Sequence, residues 1–522
     1  MYSEAEGTRK TMGDVDVFYH EGVYHLFHLV LPNHDFIAHA VSDDGLTWSR
    51  VENALFIGHP GAWDDSMLWT MHVSKDPHQP GQFRMFYTGI AQHDNGLVQR
   101  IGLATSPDLY AWTKSPVNWV SRCERCQLKN LPASNQTALY DESSRFPLEA
   151  QAPHYEHELG QGRNWISWRD PFYVQDGDDG WLLIAGRVPT GPITRRGCVA
   201  VMKEVSPNCF EHQPPLYYPT LYDDIEVPNV LKLDGQYYLI GSLREDVKIR
   251  YWYTTDIGKA WLNYSDNVLL PKGNYAGRIC YDDKGALIWN FFSHDVNNRQ
   301  VKNLLPPPKR LVRDQEGKIR VEQFEGFDSR VEKRLTFAEL GTLSRLIEEA
   351  DGKIETDQEH RGWRLNSEVG FQGFMLEPAL HCFRMNATIQ LSGTGKCGLF
   401  FRVNAKTHDG YYLSLDLIKG VAQLRSWGTN FEATGDQMMK FQSLQAGYWK
   451  SDFTKPSEIT LLVYGDYIEF SINGGVLISL ADQNYRHGRV GVYIESACID
   501  VTNVHVETLH NDQWSNEGLT KG

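Results

Sequence analysis

The stretch Glu21-Gly22-Val23-Tyr24-His25-Leu26-Phe27 joins a glycine turn to a short apolar strand, and its pattern recurs along the chain. A glycine turn next to a β-type run of this kind predicts a hairpin. Four further runs share this character, most of them after a glycine turn: Phe83-Arg84-Met85-Phe86, Trp181-Leu182-Leu183-Ile184, Tyr237-Tyr238-Leu239-Ile240 and Ala286-Leu287-Ile288-Trp289.

The five runs begin at residues 24, 83, 181, 237 and 286, so the steps between them are 59, 98, 56 and 49 residues. A four-stranded propeller blade takes roughly 40–50 residues. The spacing therefore predicts an all-β fold that begins with a five-bladed β-propeller. The long second step predicts a loop inserted around Cys123 to Arg163.

The chain changes character after Pro308. Apolar residues at helical spacing predict a helix over 335–350. From about Gly362 to Leu509 apolar and polar residues alternate without the propeller repeat, which predicts a C-terminal β-sandwich of jelly-roll, lectin-like type. We expect a propeller domain over 1–334, and a linker helix with the sandwich over 335–522. Because no flexible tether separates them, a packed structural domain is favoured over an independent lectin.

Composition limits the classes of partner. The chain has 51 basic and 66 acidic residues, a net charge of −15 and no basic stripe, so neither nucleic acid nor an anionic membrane is an expected partner. No apolar run approaches the ~20 residues of a membrane-spanning helix. The first ten residues lack the apolar core of a signal peptide, so we expect a cytoplasmic protein, or a secreted one if a leader was removed.

The eight cysteines are too thinly spread to predict a disulfide framework. Cys123 and Cys126 have the spacing of half a zinc site, but no second pair completes it, which favours two chance thiols in a loop. We expect no metal and no other cofactor. Four histidines of the first two repeats are interpreted as core or channel residues: His25, His28, His39 and His72.

Three acidic residues lie in motifs next to predicted strands. Asp14 lies in Met12-Gly13-Asp14-Val15-Asp16, Asp170 in Trp168-Arg169-Asp170-Pro171, and Glu226 in Ile225-Glu226-Val227-Pro228. Hydrolysis of a glycosidic bond requires two carboxyl groups in different protonation states, and a third often holds the sugar. The motifs therefore predict a glycoside hydrolase whose catalytic residues are Asp14, Asp170 and Glu226.

Each motif also has a plain structural interpretation. Asp14 could cap a turn, and Asp16 is its rival on the same strand face. Arg169 and Asp170 could form a surface pair, although we expect both to bind sugar hydroxyls. An acid catalyst needs a raised pKa, which the apolar neighbours of Glu226 and the other two carboxylates would supply. Asp223 and Asp224 are interpreted as solvated loop residues.

In this order, the three motifs resemble those of the family 32 glycoside hydrolases, the invertase, inulinase and levanase group, with family 43 as a neighbour. Similar short sequences are Tyr24-His25-Leu26-Phe27, Trp69-Thr70, Phe86-Tyr87-Thr88-Gly89 and Pro308-Lys309-Arg310-Leu311. The resemblance implies a five-bladed propeller with a C-terminal sandwich. It also implies that Asp14 is the nucleophile, Asp170 stabilises the transition state and Glu226 is the acid/base of a retaining mechanism.

The departures from the family pattern leave the substrate open. Gly13-Asp14-Val15-Asp16 replaces Asn-Asp-Pro-Asn-Gly with a spacing closer to family 43, and Val227 replaces a cysteine. The resemblance points to an oligosaccharide or polysaccharide with terminal β-D-fructofuranosyl units, as in sucrose, levan or inulin. An inverting α-L-arabinofuranosidase and a non-catalytic sugar-binding propeller are the alternatives, and the oligomeric state stays open.

Further residues are candidates for substrate binding. Indole rings can pack against sugar faces, which makes Trp63, Trp69 and Trp168 candidate platforms. Asp64, and with it Asp65, could bind hydroxyls, although a solvated loop position is expected for at least one of the two. Together with Asp16 and Arg169, these residues complete the predicted site.

Overall fold

The structure, a computed structural model, describes residues 1–3, 10–117, 143–293 and 303–511, so the predicted thiol pair Cys123 and Cys126 lies outside it. The described chain is all-β, with no α-helix and four short 3-10 helices: Ile193–Arg195, Glu325–Arg330, Phe337–Leu340 and Gly435–Met438. None of these described helices has the length and apolar character needed to cross a membrane. The chain divides into two compact units, Tyr2–Ile319 and Arg320–Gly522 together with Met1.

Four antiparallel sheets in the first unit have their strands hydrogen-bonded in sequence order, as in propeller blades. The first contains β1 Thr11–His20, β2 Val23–Leu31, β3 Phe36–Ser42 and β4 Ser49–Arg50, with β5 Leu55–Phe56 also on β3. The second contains β6 Met67–Lys75, β7 Phe83–Ile90, β8 Gln99–Ser106 and β9 Thr113–Lys114. The third contains β10 Arg169–Asp176, β11 Asp179–Arg187, β12 Gly197–Ser206 and β13 Cys209–Tyr217. The fourth contains β14 Glu226–Leu233, β15 Gln236–Leu243, β16 Lys248–Thr254 and β17 Val268–Leu270.

The described residues thus form four separate blades, where the sequence predicts five. Three more strands, β18 Asn274–Asp282, β19 Gly285–Phe292 and β20 Lys309–Arg313, are hydrogen-bonded in order but do not form a separate four-stranded sheet. The repeated runs were read correctly as strands, since they fall on β2, β7, β11, β15 and β19. In the fifth repeat the first two strands form a tight hairpin, Asp282 facing Gly285, and β20 follows only at Lys309.

The blades also repeat a polar turn. In the first blade the Ser42 hydroxyl accepts the Gly45 N–H at 2.9 Å, and the Asp44 carboxylate accepts the N–H groups of the next residues. Ser106 and Asp108 make the same contacts in the second blade, with the Leu109 N–H donated to Ser106 at 2.9 Å. This local pattern confirms that the repetition read from the sequence is structural.

The second unit contains the remaining strands in two antiparallel sheets. One is ordered β21 Ile319–Glu322, β34 Gly475–Ala481, β33 Tyr467–Ile472, β32 Ser457–Tyr464, β27 Phe383–Ser392, β36 Cys498–Leu509, β25 Gly362–Asn366 and β24 Lys353–Asp357, with β22 Val331–Leu335 on β36. The other is ordered β23 Ser344–Arg345, β26 Phe371–Ala379, β35 Arg489–Glu495, β28 Lys396–Val403, β29 Gly410–Asp416, β30 Val421–Thr429 and β31 Met439–Tyr448. Both sheets contribute to one buried core, for example through Trp363 and Ile389 of the first and Leu399 and Val492 of the second.

The helix predicted over 335–350 is wrong. Thr336 and Glu339 form a capping box that starts only the short helix Phe337–Leu340. Gly341, at a φ of 71°, then ends it, and the chain continues into β23. Leu340, Leu343 and Leu346 imitate helical spacing, but they are core residues of an irregular segment. The division at Ile319 also precedes the boundary predicted near 335.

Candidate active site

The innermost strands share an irregularity. The first strands β1, β6, β10, β14 and β18 lie side by side, with β18 in contact with both β14 and β1. In each pairing with its second strand the register shifts near the start: Met12/Val15, Trp69/Met71, Arg169/Phe172, Glu226/Asn229 and Tyr275/Arg278. A bulge re-aims the side chains beside it. All three predicted catalytic residues lie at these shifts.

Asp14 lies at the bulge of β1 and is partly exposed. The Thr70 hydroxyl, at the bulge of β6, donates a hydrogen bond to its carboxylate. Burial, together with the negative charges of Asp170 and Glu226, raises the pKa of Asp14 to about 7. Three carboxylates of the predicted site therefore interact with one another.

Asp170 is held firmly. Its Oδ2 accepts the Val227 N–H at 3.0 Å, and its own N–H donates to Thr88 Oγ1 at 3.1 Å. It is buried and adopts a φ of 60°, which is uncommon for a residue with a side chain. Several protein contacts thus fix this strained conformation, as expected where a bulge places a functional group.

Glu226 begins β14 and receives two donors. Arg169 Nη2 lies 2.6 Å from its Oε1, and the Tyr275 hydroxyl donates to Oε2. Burial and the nearby Glu226 carboxylate raise the pKa of Tyr275, so this hydroxyl remains a donor. The sequence predicts a raised pKa for the acid Glu226, whereas the structure places a raised pKa on Asp14 and a guanidinium on Glu226.

Asp224 corrects another prediction. It is 1% exposed rather than solvated, and its Oδ2 accepts Arg163 Nη1 at 2.9 Å and Arg169 Nη2 at 3.2 Å. Burial alone would raise its pKa, but the two guanidiniums outweigh burial and lower it. Asp223 is the more open of the pair and accepts Arg187 Nη1 at 2.8 Å. The acidic run preceding Glu226 therefore carries buried charge.

Arg169 is no surface residue either. It is buried, and besides Asp224 and Glu226 it lies near Asp170, with Nε to Oδ2 at 3.7 Å. Burial opposes its charge, but the three carboxylates outweigh burial and raise its pKa further. Its guanidinium is thus the cation shared by the acidic groups of the site.

Arg278 was missed by sequence reasoning. It is fully buried and donates to the carbonyls of Pro171 at 2.8 Å, Met71 at 3.3 Å and Pro228 at 3.3 Å. Its Nε lies 3.9 Å from Asp16 Oδ1. One side chain of β18 therefore joins β6, β10, β14 and β1 beneath the bulges.

Asp16 belongs to this buried layer. Its Oδ2 accepts the Val73 N–H at 2.7 Å, and His72 Nδ1 lies 3.3 Å from Oδ1. At 1% exposure, and with both oxygens engaged, Asp16 has the environment of a structural carboxylate rather than of the predicted sugar ligand. The two-residue spacing predicts one strand face for Asp14 and Asp16, but it could not reveal the bulge between Met12 and Val15 that gives the two residues different surroundings.

Two of the three predicted platforms lie in blade interiors. Trp168 is 0% exposed and stacks on His212, with ring centroids 5.4 Å apart. Trp63, 3% exposed, stacks on Tyr87 at 5.6 Å. Only Trp69, next to Thr70, keeps part of its surface open. Sequence composition does not distinguish a β-core indole from a sugar platform.

Asp64 and Asp65 are both buried rather than solvated. Asp64 Oδ2 accepts Lys114 Nζ at 2.5 Å and the Tyr87 hydroxyl at 3.1 Å. With Trp63 and Lys114 it lines a cavity of about 290 Å³, and the described lining residues of this cavity include none of the three catalytic candidates. The structure therefore does not bring Asp64 to the carboxylate cluster.

No group of three or more His, Cys, Asp or Glu in the described residues has an arrangement that could hold a metal ion. The site consists of three interacting carboxylates, and Thr70, Arg169 and Tyr275 donate hydrogen bonds to two of them. Thr70 lies in a short sequence already noted for its family likeness. Tyr275 and Arg278 lie in no motif that sequence reasoning identified.

A family model described as the glycosyl hydrolases family 32 N-terminal domain matches residues 8–131, which include Asp14 and Thr70. Over these residues the chain is similar to the family 32 glycoside hydrolases. It is accordingly a glycosidase. A comparison with curated proteins found no match.

Several solved structures share the fold of this glycosidase. Fructan 1-exohydrolase IIa from Cichorium intybus is 13% identical, with a TM-score of 0.65 over 96% of this chain and 95% of that one. Exo-inulinase from Aspergillus awamori is 13% identical, with a TM-score of 0.64 over 96% of each chain. Sucrose-6-phosphate hydrolase from Lactobacillus gasseri is 13% identical, with a TM-score of 0.64 over 96% of this chain and 91% of that one.

Proposed function

We propose that the protein hydrolyses terminal β-D-fructofuranosides of the sucrose, levan or inulin type by a retaining mechanism. The observation that carries this proposal is the convergence of Asp14, Asp170 and Glu226 at the bulges of three inner strands. The family 32 match covers the Asp14 segment. The neighbours named as fructan exohydrolase and exo-inulinase support the choice of sugar.

In the first step Asp14 attacks the anomeric carbon, the bond from that carbon to the leaving oxygen breaks, and Glu226 gives its proton to that oxygen. In the second step water loses a proton to Glu226 and attacks the same carbon, which breaks the ester bond to Asp14. Asp170 binds ring hydroxyls and stabilises the positive charge of the transition state. Two inversions at one carbon give retention.

Only one distribution of protons is productive. Asp14 must be ionised while Glu226 is protonated, yet burial and its neighbours favour the proton on Asp14. Interacting carboxylates titrate as a unit, so the position of a shared proton depends on the charges around each. Arg169 and Tyr275 are the donors through which the protein acts on Glu226.

We also propose the finer architecture that this function requires. Strands β18 to β20 would act as a fifth blade, since β18 contacts both β14 and β1 and carries Tyr275 to Glu226. The two sheets of the second unit would form a β-sandwich of jelly-roll type around their common core.

The test is a release assay on sucrose, inulin, levan and an aryl α-L-arabinofuranoside, with NMR of the first anomer formed. We expect fructose released with retention from at least one fructoside. Arabinose released with inversion would replace the proposal with the family 43 alternative. Binding of fructosides without release of any sugar would favour a non-catalytic propeller.

A further inference from the structure

Arg169 is shared between two acids, the buried Asp224 and the partly exposed Glu226. The same atom, Nη2, lies 2.6 Å from Glu226 Oε1 and 3.2 Å from Asp224 Oδ2. Asp224 has a second cation, because its Oδ2 also accepts Arg163 Nη1 at 2.9 Å. The charges therefore alternate along a line from Arg163 through Asp224 and Arg169 to Glu226.

An aromatic ring and a hydroxyl group hold these charged side chains in place. The Trp165 ring lies 4.6 Å from the Arg163 guanidinium carbon and 5.4 Å from that of Arg169. The Ser167 hydroxyl accepts from Arg169 Nη1 and lies 3.4 Å from Asp224 Oδ1. Both guanidiniums thus have fixed positions on either side of Asp224, which favours an electrostatic effect over a loose surface pair.

We propose that Asp224 is a positioning residue that partly neutralises Arg169, so that Arg169 favours ionised Glu226 less and Glu226 can hold the proton needed for leaving-group departure. This inference rests on the proposed retaining function and assigns Asp224 no contact with substrate. Without the Asp224 charge, Arg169 would have only Glu226 and Asp170 as partners, and ionised Glu226 would be favoured.

The charged and titratable groups around Glu226 come from every neighbouring inner strand. Among these groups, Asp224 and Arg163 act on Glu226 through Arg169 and have no role in the proposed reaction steps. The groups are Asp14 of β1, Arg169 and Asp170 of β10, Tyr275 and Arg278 of β18, and Asp224 with Arg163 from the segments before β14 and β10.

Asp224→Asn removes the charge and keeps the shape. The carboxylic C=O band of Glu226, identified by infrared difference against Glu226→Gln in each background, should titrate about one pH unit lower than in the parent. Turnover of sucrose at pH 7 should fall about tenfold, while an aryl fructoside with a good leaving group should change less than twofold, because its departure needs little proton transfer.

Two variants separate electrostatics from structure. Asp223→Asn is the control for an acid one step further away, since Asp223 pairs with Arg163 and Arg187 rather than with Arg169. Its effect on the band must pass through Arg163, so it should be smaller than that of Asp224→Asn. Arg163→Met frees Asp224 to neutralise Arg169 more fully, so the band should move to higher pH. A folding defect would not produce shifts of opposite sign.

An unchanged Glu226 band in Asp224→Asn overturns the inference, as do equal losses on both substrates. The infrared titration needs no turnover, so it tests the Asp224 role independently. Opposite shifts in a protein that cleaves no furanoside would keep that role and reject the proposed function.

Discussion

The inner strands have two dissimilar halves. Near their starts, the pairing with the second strand is interrupted and the carboxylates come together. At least one of these carboxylates, Asp14, is partly exposed. Further along, pairing is regular from Val15 to His20, and the polar groups Asp16, His72 and Arg278 are buried and bonded to one another or to backbone. These regular halves border a cavity of about 500 Å³ lined by residues such as Phe18, Phe172 and Ile279.

The difference shows how one strand serves chemistry and stability at once. Asp14 and Asp16 are two residues apart and have the same side-chain chemistry. Asp14 has a raised pKa and one side-chain donor, whereas Asp16 has backbone, imidazole and guanidinium neighbours. The bulge creates this contrast, because it breaks the alternation that would give both the same surroundings.

The largest effect is expected at the bulged half. Asp14→Ala and Glu226→Ala should each lower turnover of sucrose by about 10⁴-fold or more, because nucleophile and acid act as a unit. With an aryl fructoside, whose leaving group departs with little proton transfer, azide should restore cleavage in both variants, with opposite stereochemistry. In Asp14→Ala azide takes the place of the carboxylate and gives an inverted glycosyl azide, whereas in Glu226→Ala it attacks the Asp14 ester and gives a retained one.

NMR of the azide products decides the roles. If the two stereochemical outcomes are exchanged, Glu226 is the nucleophile and the raised pKa of Asp14 marks the acid. Asp16→Asn is the matched comparison, since it changes a carboxylate of the same strand outside the bulge. It should lower stability and leave the product anomer of the parent reaction unchanged.

The second effect is expected at the regular half. Arg278→Met removes the guanidinium that joins four strands and leaves Asp16 without its cation, so we expect a loss of about 3–5 kcal/mol in the free energy of unfolding. The measurement is urea unfolding of both proteins. Lys232→Met, which breaks an exposed pair with Asp176, is the control and should change little. Equal stability of Arg278→Met and the parent would remove the role assigned to this half.

The third effect concerns Asp14 and pH. Its pKa of about 7 in the folded protein exceeds the ordinary 3.8, so the folded state holds a proton that the unfolded state has lost between these values. Folding stability from this group is complete below pH 3.8 and declines as pH rises through 7. Asp14→Asn should therefore stabilise the protein at pH 8 by about 2–4 kcal/mol relative to its effect at pH 4. Urea midpoints at both pH values test this, and a pH-independent difference would contradict it.

The sequence predicted what depends on local pattern. Glycine turns beside apolar runs predicted the hairpins of the blades, and short acidic motifs pointed to the candidates Asp14, Asp170 and Glu226, which the structure brings to neighbouring bulges. It could not predict what depends on distant strands: Arg278 acts by contacts with carbonyls at positions 71, 171 and 228. The predictions of Trp168 as a sugar platform and of a helix over 335–350 were wrong for the same reason. Packing, not periodicity, decides whether an apolar residue faces core or solvent.

The smallest effect tests the hydrogen bond that crosses between two bulges. The Thr70 hydroxyl donates to Asp14 and opposes the rise of its pKa, because it stabilises the ionised form. Thr70→Val keeps the shape and removes the donor, so the acidic limb of kcat/KM for an aryl fructoside should move up by about one pH unit. The plateau above that limb should be unchanged, because this leaving group needs little proton transfer from Glu226. Thr70→Ser keeps the hydroxyl and should retain the parent profile. If Val and Ser variants shift alike, Thr70 acts by packing alone; if only Val shifts, the contact between β1 and β6 sets the pH at which the nucleophile is ready.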